Sequence, residues 1–220
     1  MSVQTKNGRS VRAHIQYRNK ENIRLPGVTT VLGILAKPAL IYWAWDLGMQ
    51  KIDYRKFRDD KADIGTLAHE MALAHLRNEK PETTGYSSDQ IELAEICFSK
   101  YLNWEKEHKI KPILLEKPLI SETYQFGGTI DNYCKLDGVL TLVDYKTSKG
   151  IYEEMFYQVA AYKQLLVENN FNVQDVRILR IGRNEDEGFE DRKMINVSKH
   201  FFIFQSCLEI YNLRKQIKEK

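Results

Sequence analysis

The chain has 220 residues, 43% of them hydrophobic, which is enough to bury one core of ordinary size and leaves no room for a separate motor domain. Its 33 Lys and Arg against 30 Asp and Glu give a net charge of +3, too small to diagnose nucleic-acid binding by itself. No apolar stretch reaches the roughly 18 residues that span a bilayer, so no membrane partner is expected.

The opening Met1-Ser2-Val3-Gln4-Thr5-Lys6 lacks the apolar centre of a signal peptide, and Cys97, Cys134 and Cys207 show no paired spacing. Both features suit a soluble protein in a reducing, intracellular compartment. Residues 1–24 read as an extended segment broken at Asn19-Lys20-Glu21-Asn22, with six positive charges and one negative. Helices are expected from about 30 to 77, and within them Lys51, Arg55, Lys56, Arg58 and Lys61 alternate with Tyr54 and Phe57. Basic side chains bind phosphate without reading sequence and aromatic faces stack on unpaired bases, although solvated loops and helix faces carry such clusters equally well.

From Ala62 onward Leu67, Met71 and Ala74 form an apolar stripe at helical spacing. His69 lies off that stripe, and a lone helix histidine is more often a surface or satisfied core residue than a metal ligand, while Gly65 would let another part of the chain approach closely. A loop over 78–88 precedes a helix near 89–108, and strands follow near 112–120, 125–135 and 139–147. In the first of these Glu116 interrupts an apolar run, so its carboxylate needs a partner or a metal.

Asp137-Gly138 between strand-like runs signals a tight hairpin, since a type I′ turn requires positive φ at both central residues. If that pair is the hairpin centre, Asp131 stands opposite Asp144 and Lys146 falls on the same face, one step along. Opposed carboxylates repel, and a hard divalent cation is the natural compensation. Neutralising either one should relieve the metal-free fold. Downstream, 152–168 reads as an amphipathic helix with Met155, Val159 and Leu166 inward and Gln158 and Tyr162 adjacent at i, i+4. These two polar groups could cap the core edge, or hold a phosphate or orient a lysine. A strand near 176–181, another near 193–197 and a C-terminal helix over 201–220 complete an α/β (α+β) fold, a central mixed sheet flanked by helices.

In order, Gly65-x-x-x-His69-Glu70, Glu116-x-Pro118, Gly128-x-x-Asp131, Asp144-x-Lys146-Thr147 and Gln158-x-x-x-Tyr162 resemble the motifs of the RecB-like branch of the PD-(D/E)xK nucleases. The resemblance spans about residues 62–165. Pro26-Gly27-Val28-Thr29-Thr30-Val31-Leu32 is more loosely similar to the entry segment of small phage-type and mitochondrial single-strand exonucleases. Ile130 replaces the proline that gives the wider group its name, as is usual in this branch.

The resemblance implies a restriction-endonuclease-like core with a helical N-terminal segment. It would be a single nuclease domain over 1–220, with a DNA-contacting segment at 1–61, a catalytic core at 62–200 and the C-terminal helix. It further implies that His69, Asp131, Asp144 and the Tyr145 carbonyl bind Mg2+ or Mn2+, that Lys146 is the catalytic lysine, and that Gln158 and Tyr162 support it. Glu116 is a candidate for a second metal and Glu70 a weaker one. Arg55, Lys56, Arg58, Lys61, Thr147 and Lys149 are candidate DNA contacts. Three scattered cysteines give no reason to expect the iron–sulfur cluster that some relatives carry.

The function expected is a metal-dependent exonuclease on DNA ends or single strands, in phage or cellular replication, recombination or repair, with proteins of those processes as partners. The alternatives are a structure-selective or flap endonuclease, or a silent DNA-binding recombination partner. Opposed carboxylates argue against the last, because they would repel phosphate. A nucleotide hydrolase would show a G-x-x-x-x-G-K-[ST] loop, and none occurs.

Overall fold

A computed structural model describes residues 15–218 fully, together with the backbone of two short strands, β1 (Gln4–Lys6) and β2 (Arg9–Val11). The side chains of Lys6, Arg9 and Arg12 in the basic N-terminal segment, and residues 219–220 of the predicted C-terminal helix, lie outside the described residues.

A second ribbon pairs β3 (Tyr17–Arg18) with β4 (Arg24–Leu25). Its turn falls at the predicted break, where Asn19 Oδ1 accepts hydrogen bonds from the Glu21 and Ile23 amides at 3.1 and 2.8 Å. Three helices follow: α1 (Val28–Leu32), α2 (Pro38–Met49) and α3 (Tyr54–Arg77). Asp53 caps α3 by accepting from the amides of Arg55 and Lys56. Helix α4 (Ser88–Glu105) opens on a capping box between Ser87 and Gln90.

The remaining elements are β5 (Ile110–Ser121), β6 (Phe126–Leu136), β7 (Val139–Thr147), α5 (Glu153–Glu168), β8 (Asp175–Ile181), β9 (Phe189–Lys193) and α6 (Ser198–Lys218). The five strands form one sheet in sequence order. Strands β5, β6 and β7 are antiparallel, β8 returns parallel to β7 through the α5 crossover, and β9 closes the edge antiparallel to β8. This is the mixed sheet flanked by helices that the sequence predicts.

Strand side chains alternate between faces, so the sheet feeds two cores. Ile130, Leu142 and Ile178 pack with α1, α5 and α6, while Val143, Tyr145, Leu179 and Ile181 pack with α3 and α4. The predicted stripe of Leu67, Met71 and Ala74 is buried in the second of these cores or at its edge. The β6–β7 hairpin turns at Asp137 and Gly138, with φ of 49° and 90°, and the ladder pairs Leu136 with Val139 through to Asn132 with Val143. Both features are those the Asp-Gly signal predicts.

The last strand is displaced from its predicted position. Apolar Met194, Ile195 and Val197 suggest a strand near 193–197, but the ladder on β8 uses Phe189–Lys193. Edge strands are kept charged, and Glu190, Asp191, Arg192 and Lys193 hide this one from a hydrophobicity pattern. Ile195 is 97% exposed, and α6 starts at Ser198, ahead of the predicted 201.

Candidate active site

Where the parallel strands β7 and β8 end, an open cleft of about 450 Å³ is lined by Trp43, Arg58, Lys61, Gly65, Thr66, His69, Asp131, Tyr145, Lys146, Thr147 and Arg183, with Ala62 completing the wall. Helix α3 forms one side. It can lie close to β7 because residue 65 is glycine: a Cβ there would stand 2.3 Å from Thr147 Oγ1. The close approach expected at Gly65 is therefore real, and it is made to the residue after Lys146.

The hairpin register carries Asp131 and Asp144 to adjacent strands, one step beyond the last ladder pair, Asn132 with Val143. There the ladder opens. Asp131 Oδ2 accepts a hydrogen bond from the Tyr145 amide at 3.0 Å and lies 3.1 Å from His69 Nε2. Burial alone would raise the Asp131 carboxyl, but His69, Lys146 and the Tyr145 amide outweigh it and bring its pKa down to about 2.

Asp144 is in the opposite condition. Its side chain is 1% exposed, Lys146 Nζ lies 2.5 Å from Oδ2, and Oδ1 has no hydrogen-bond partner among the described residues. Burial first, and then the neighbouring Asp131 charge, push it up to about 6 against the pull of Lys146. Burial would also strip the proton from Lys146. Asp144 and Asp131 more than offset that, and the pKa of the amine is raised, so it stays an ammonium ion.

From the other face α5 contributes the Gln158 amide, which donates to the Tyr162 hydroxyl at 2.9 Å. Burial and the charges of Asp144 and Asp131 raise the Tyr162 phenol well above its usual pKa, so it remains a neutral group at the edge of the acidic pair. Its ring lies against β6 because residue 128 is glycine, where a Cβ would sit 2.7 Å from Tyr162 Cε1. The Gly128-x-x-Asp131 spacing thus has a packing cause as well as a resemblance.

Among the described residues no three His, Cys, Asp or Glu side chains converge into a ready-made metal cage. A hard cation does not need one, because Mg2+ commonly takes one or two carboxylates and fills its other positions with water and phosphate. The buried Asp144 carboxylate, its Oδ1 without a hydrogen-bond partner among the described residues, joins Asp131 and His69 at the cleft in a donor set that fits such an ion.

The other predicted positions separate into three groups. Arg58, Lys61 and Thr147 line the cleft, whereas Arg55, Lys56 and Lys149 are exposed away from its lining. Glu116 sits one step from both Leu115–Asn132 and Lys117–Ile130, opposite Asp131 in register, but in a left-handed conformation with φ of 46°. Its carboxylate is held by Arg77 at 2.6 Å, and Arg77 also lies 3.9 Å from Glu70. Arg77 meets the need for a partner that the sequence raised for Glu116. Tyr54 and Phe57 are half-buried, packed edge-on against Trp43 at 5.2 and 5.9 Å, with Arg58 over the Tyr54 ring and Lys61 over Phe57.

Trp43 and Arg183 are cleft residues that sequence reasoning missed. Arg183 follows β8, and only the parallel pairing of Thr147 with Ile181 brings it beside Lys146. The one available signal was general: ligand sites favour the carboxyl ends of parallel strands. All three cysteines are buried and unbridged.

No protein-family profile matches the chain, and no curated protein sequence does. It is similar to several solved structures. One is a presumed exonuclease from Eubacterium rectale, at 10% identity and a TM-score of 0.47, the match covering 69% of this chain and 65% of that one. The chain therefore spans just under two thirds of that protein. Another is an alkaline exonuclease from Laribacter hongkongensis, at 14% identity and a TM-score of 0.34, covering 73% and 92%. The same enzyme in complex with dAMP matches at 12% identity and 0.34, with the same coverage. Likeness this slight leaves the function to be argued from the chain's own residues. Among the described residues no helix is long and apolar enough to cross a membrane.

Proposed function

We propose that this chain is a divalent-metal-dependent deoxyribonuclease of the RecB-like PD-(D/E)xK type, acting as an exonuclease on DNA ends or single strands in replication, recombination or repair. The observation that carries the reading is Asp144, a buried carboxylate whose Oδ1 has no partner among the described residues, beside a second carboxylate and an ammonium ion at a cleft that Lys61, Arg58 and Arg183 line. Lys146 meets only Oδ2, whereas a purely structural buried pair would be expected to satisfy Oδ1 as well, since leaving a buried oxygen without a partner is costly. Asp131, Asp144, His69 and the Tyr145 carbonyl would hold Mg2+ or Mn2+. When bound there, the cation supplies Lewis-acid polarisation of the phosphate and acidifies water.

The chain's own groups do the rest. Lys146, held protonated by Asp131 and Asp144, places a fixed positive charge where the phosphate gains negative charge in the transition state. Lys61 lines the cleft with a cation for the neighbouring phosphates, and Arg58 and Arg183, paired with Asp59 at 2.6 Å and Glu187 at 3.1 Å, would share or exchange those partners to do the same. Tyr162, neutral and oriented by Gln158, supplies hydrogen bonding at the acidic pair without adding charge. Glu116, bound by Arg77, would have to exchange that partner to reach a second ion.

Incubating linear duplex, single-stranded, 5′-labelled, 3′-labelled and closed circular DNA with magnesium, manganese or EDTA tests this reading. End-dependent loss of label that EDTA stops is expected. Cleavage of circles would move the assignment to an endonuclease, and absence of cleavage under every metal would sink it.

His69 separates metal binding from chemistry. His69→Ala should weaken the metal requirement's midpoint without unfolding the protein, because the ring packs at the cleft edge-on to Tyr145 and lies outside the Leu67, Met71 and Ala74 stripe. Activity should then recover partly as manganese is raised. An unchanged metal titration would show that His69 only orients Asp131.

A further inference from the structure

Helix α6 is apolar on two sides. Phe201, Phe204, Cys207 and Leu208 are buried where the helix packs on α1 and α5, while Phe202, Ile203, Ile210, Leu213 and Ile217 are 64%, 40%, 45%, 50% and 74% exposed. A helix that is apolar all round is ordinarily buried all round, so the outward side calls for a cover.

The spacing of that side says what the cover is. Ile203, Ser206, Ile210, Leu213 and Ile217 follow steps of three, four, three and four, the heptad repeat of a coiled-coil seam with Ile203, Ile210 and Ile217 at a and Ser206 and Leu213 at d. Phe202 flanks the first of them. Isoleucine at every a position with leucine at d selects two parallel strands. The borders of the seam carry opposite charges, Glu209 at g and Arg214 at e. In a parallel pair each g residue lies against the e residue five positions on in the other helix, so Glu209 of each copy would meet the partner's Arg214. An antiparallel pair would set like charges together, and a lipid surface would favour cations along both borders.

We infer that the chain forms a parallel two-fold dimer through the 203–217 side of α6, its register fixed by two Glu209–Arg214 pairs. Because α6 and α3 pack on opposite faces of the sheet, the pairing leaves the α3 wall of the cleft uncovered. It does not depend on the nuclease reading. So short a seam holds two helices weakly, and the dimer should dissociate on dilution.

Sedimentation equilibrium on the full chain, from low micromolar to sub-millimolar protein, tests the pairing. Wild type should pass from monomer to dimer. Ile210→Gln with Leu213→Gln should stay monomeric throughout, and the melting temperature of dilute protein should not change, since both side chains are exposed in the single chain. Glu209→Lys and Arg214→Glu should each weaken the dimer on the order of tenfold, because two attractive pairs become repulsive. Combining the two reversals should restore it, which no loss of folding would allow. Wild type that stays monomeric, or that assembles as a trimer, overturns the inference. So does a dimer that survives the glutamine pair, a single reversal that leaves association unchanged, or a combined reversal that fails to recover it.

Discussion

Lys146→Ala should lower DNA cleavage by ~10²-fold or more while leaving DNA affinity close to wild type, because a fixed charge on the transition state is worth that much and one lysine adds little to nonspecific binding. The geometry sets this expectation. The ammonium is half-buried between Asp144 at 2.5 Å and the charge of Asp131, so it cannot wander to serve distant phosphates. Arg58, Lys61 and Arg183 still line the cleft in the variant. Single-turnover cleavage together with binding in EDTA reads the two effects separately. Turnover within about threefold of wild type would remove Lys146 from the chemistry. Raising manganese should not rescue this variant, in contrast to His69→Ala.

Asp144→Asn and Asp131→Asn should each abolish activity, yet they should move stability in opposite directions in metal-free buffer. Asp144 titrates at about 6 in the fold against 3.8 in the unfolded chain, so its charged form carries a cost that sets in as pH rises between those values. At pH 8 the cost is fully present, and the neutral amide should raise stability by up to about 3 kcal/mol. Asp131 titrates at about 2 against 3.8, so its contribution is stabilising above 3.8 and is lost as pH falls toward 2.

Its replacement should therefore cost up to about 2 kcal/mol at pH 8. Thermal melts at pH 8 in EDTA check both signs. Strong destabilisation of both variants would mean that the Asp144 and Lys146 pair is a structural ion pair. Two carboxylates squarely opposed would make both substitutions stabilising. The turn of Asp131 onto the Tyr145 amide is what divides them.

Much of the site was local enough to read from sequence. Asp137-Gly138 fixes a turn type, the turn fixes register, and register alone places Asp131 beside Asp144 with Lys146 two residues on. The same holds for Gln158 and Tyr162, which meet because four residues make one helical turn. The place of His69 off the apolar stripe left it a surface residue, a satisfied core residue or a ligand, and what it faces depended on α3 packing against β7, which Gly65 and Thr147 allow.

The partner of Glu116 and the packing of Tyr54 and Phe57 were beyond that reach. Arg77 lies 39 residues before Glu116, and nothing near either one announces the pair. Trp43 reaches Tyr54 and Phe57 only because α2 folds back along the start of α3.

By itself the sequence determined most of the elements in order and the hairpin register that brings Asp131, Asp144 and Lys146 together, because turns, strand alternation and helical spacing act over a few residues; His69 entered as a ligand only through the resemblance. The tertiary structure decided which cations share the cleft, that the two carboxylates are shifted in opposite directions, and that α2 leaves Tyr42 and Trp45 exposed. These depend on desolvation and on contacts between distant segments: Arg183 reaches the cleft through a parallel strand, and Asp144 loses its water only once helices cover both faces of the sheet.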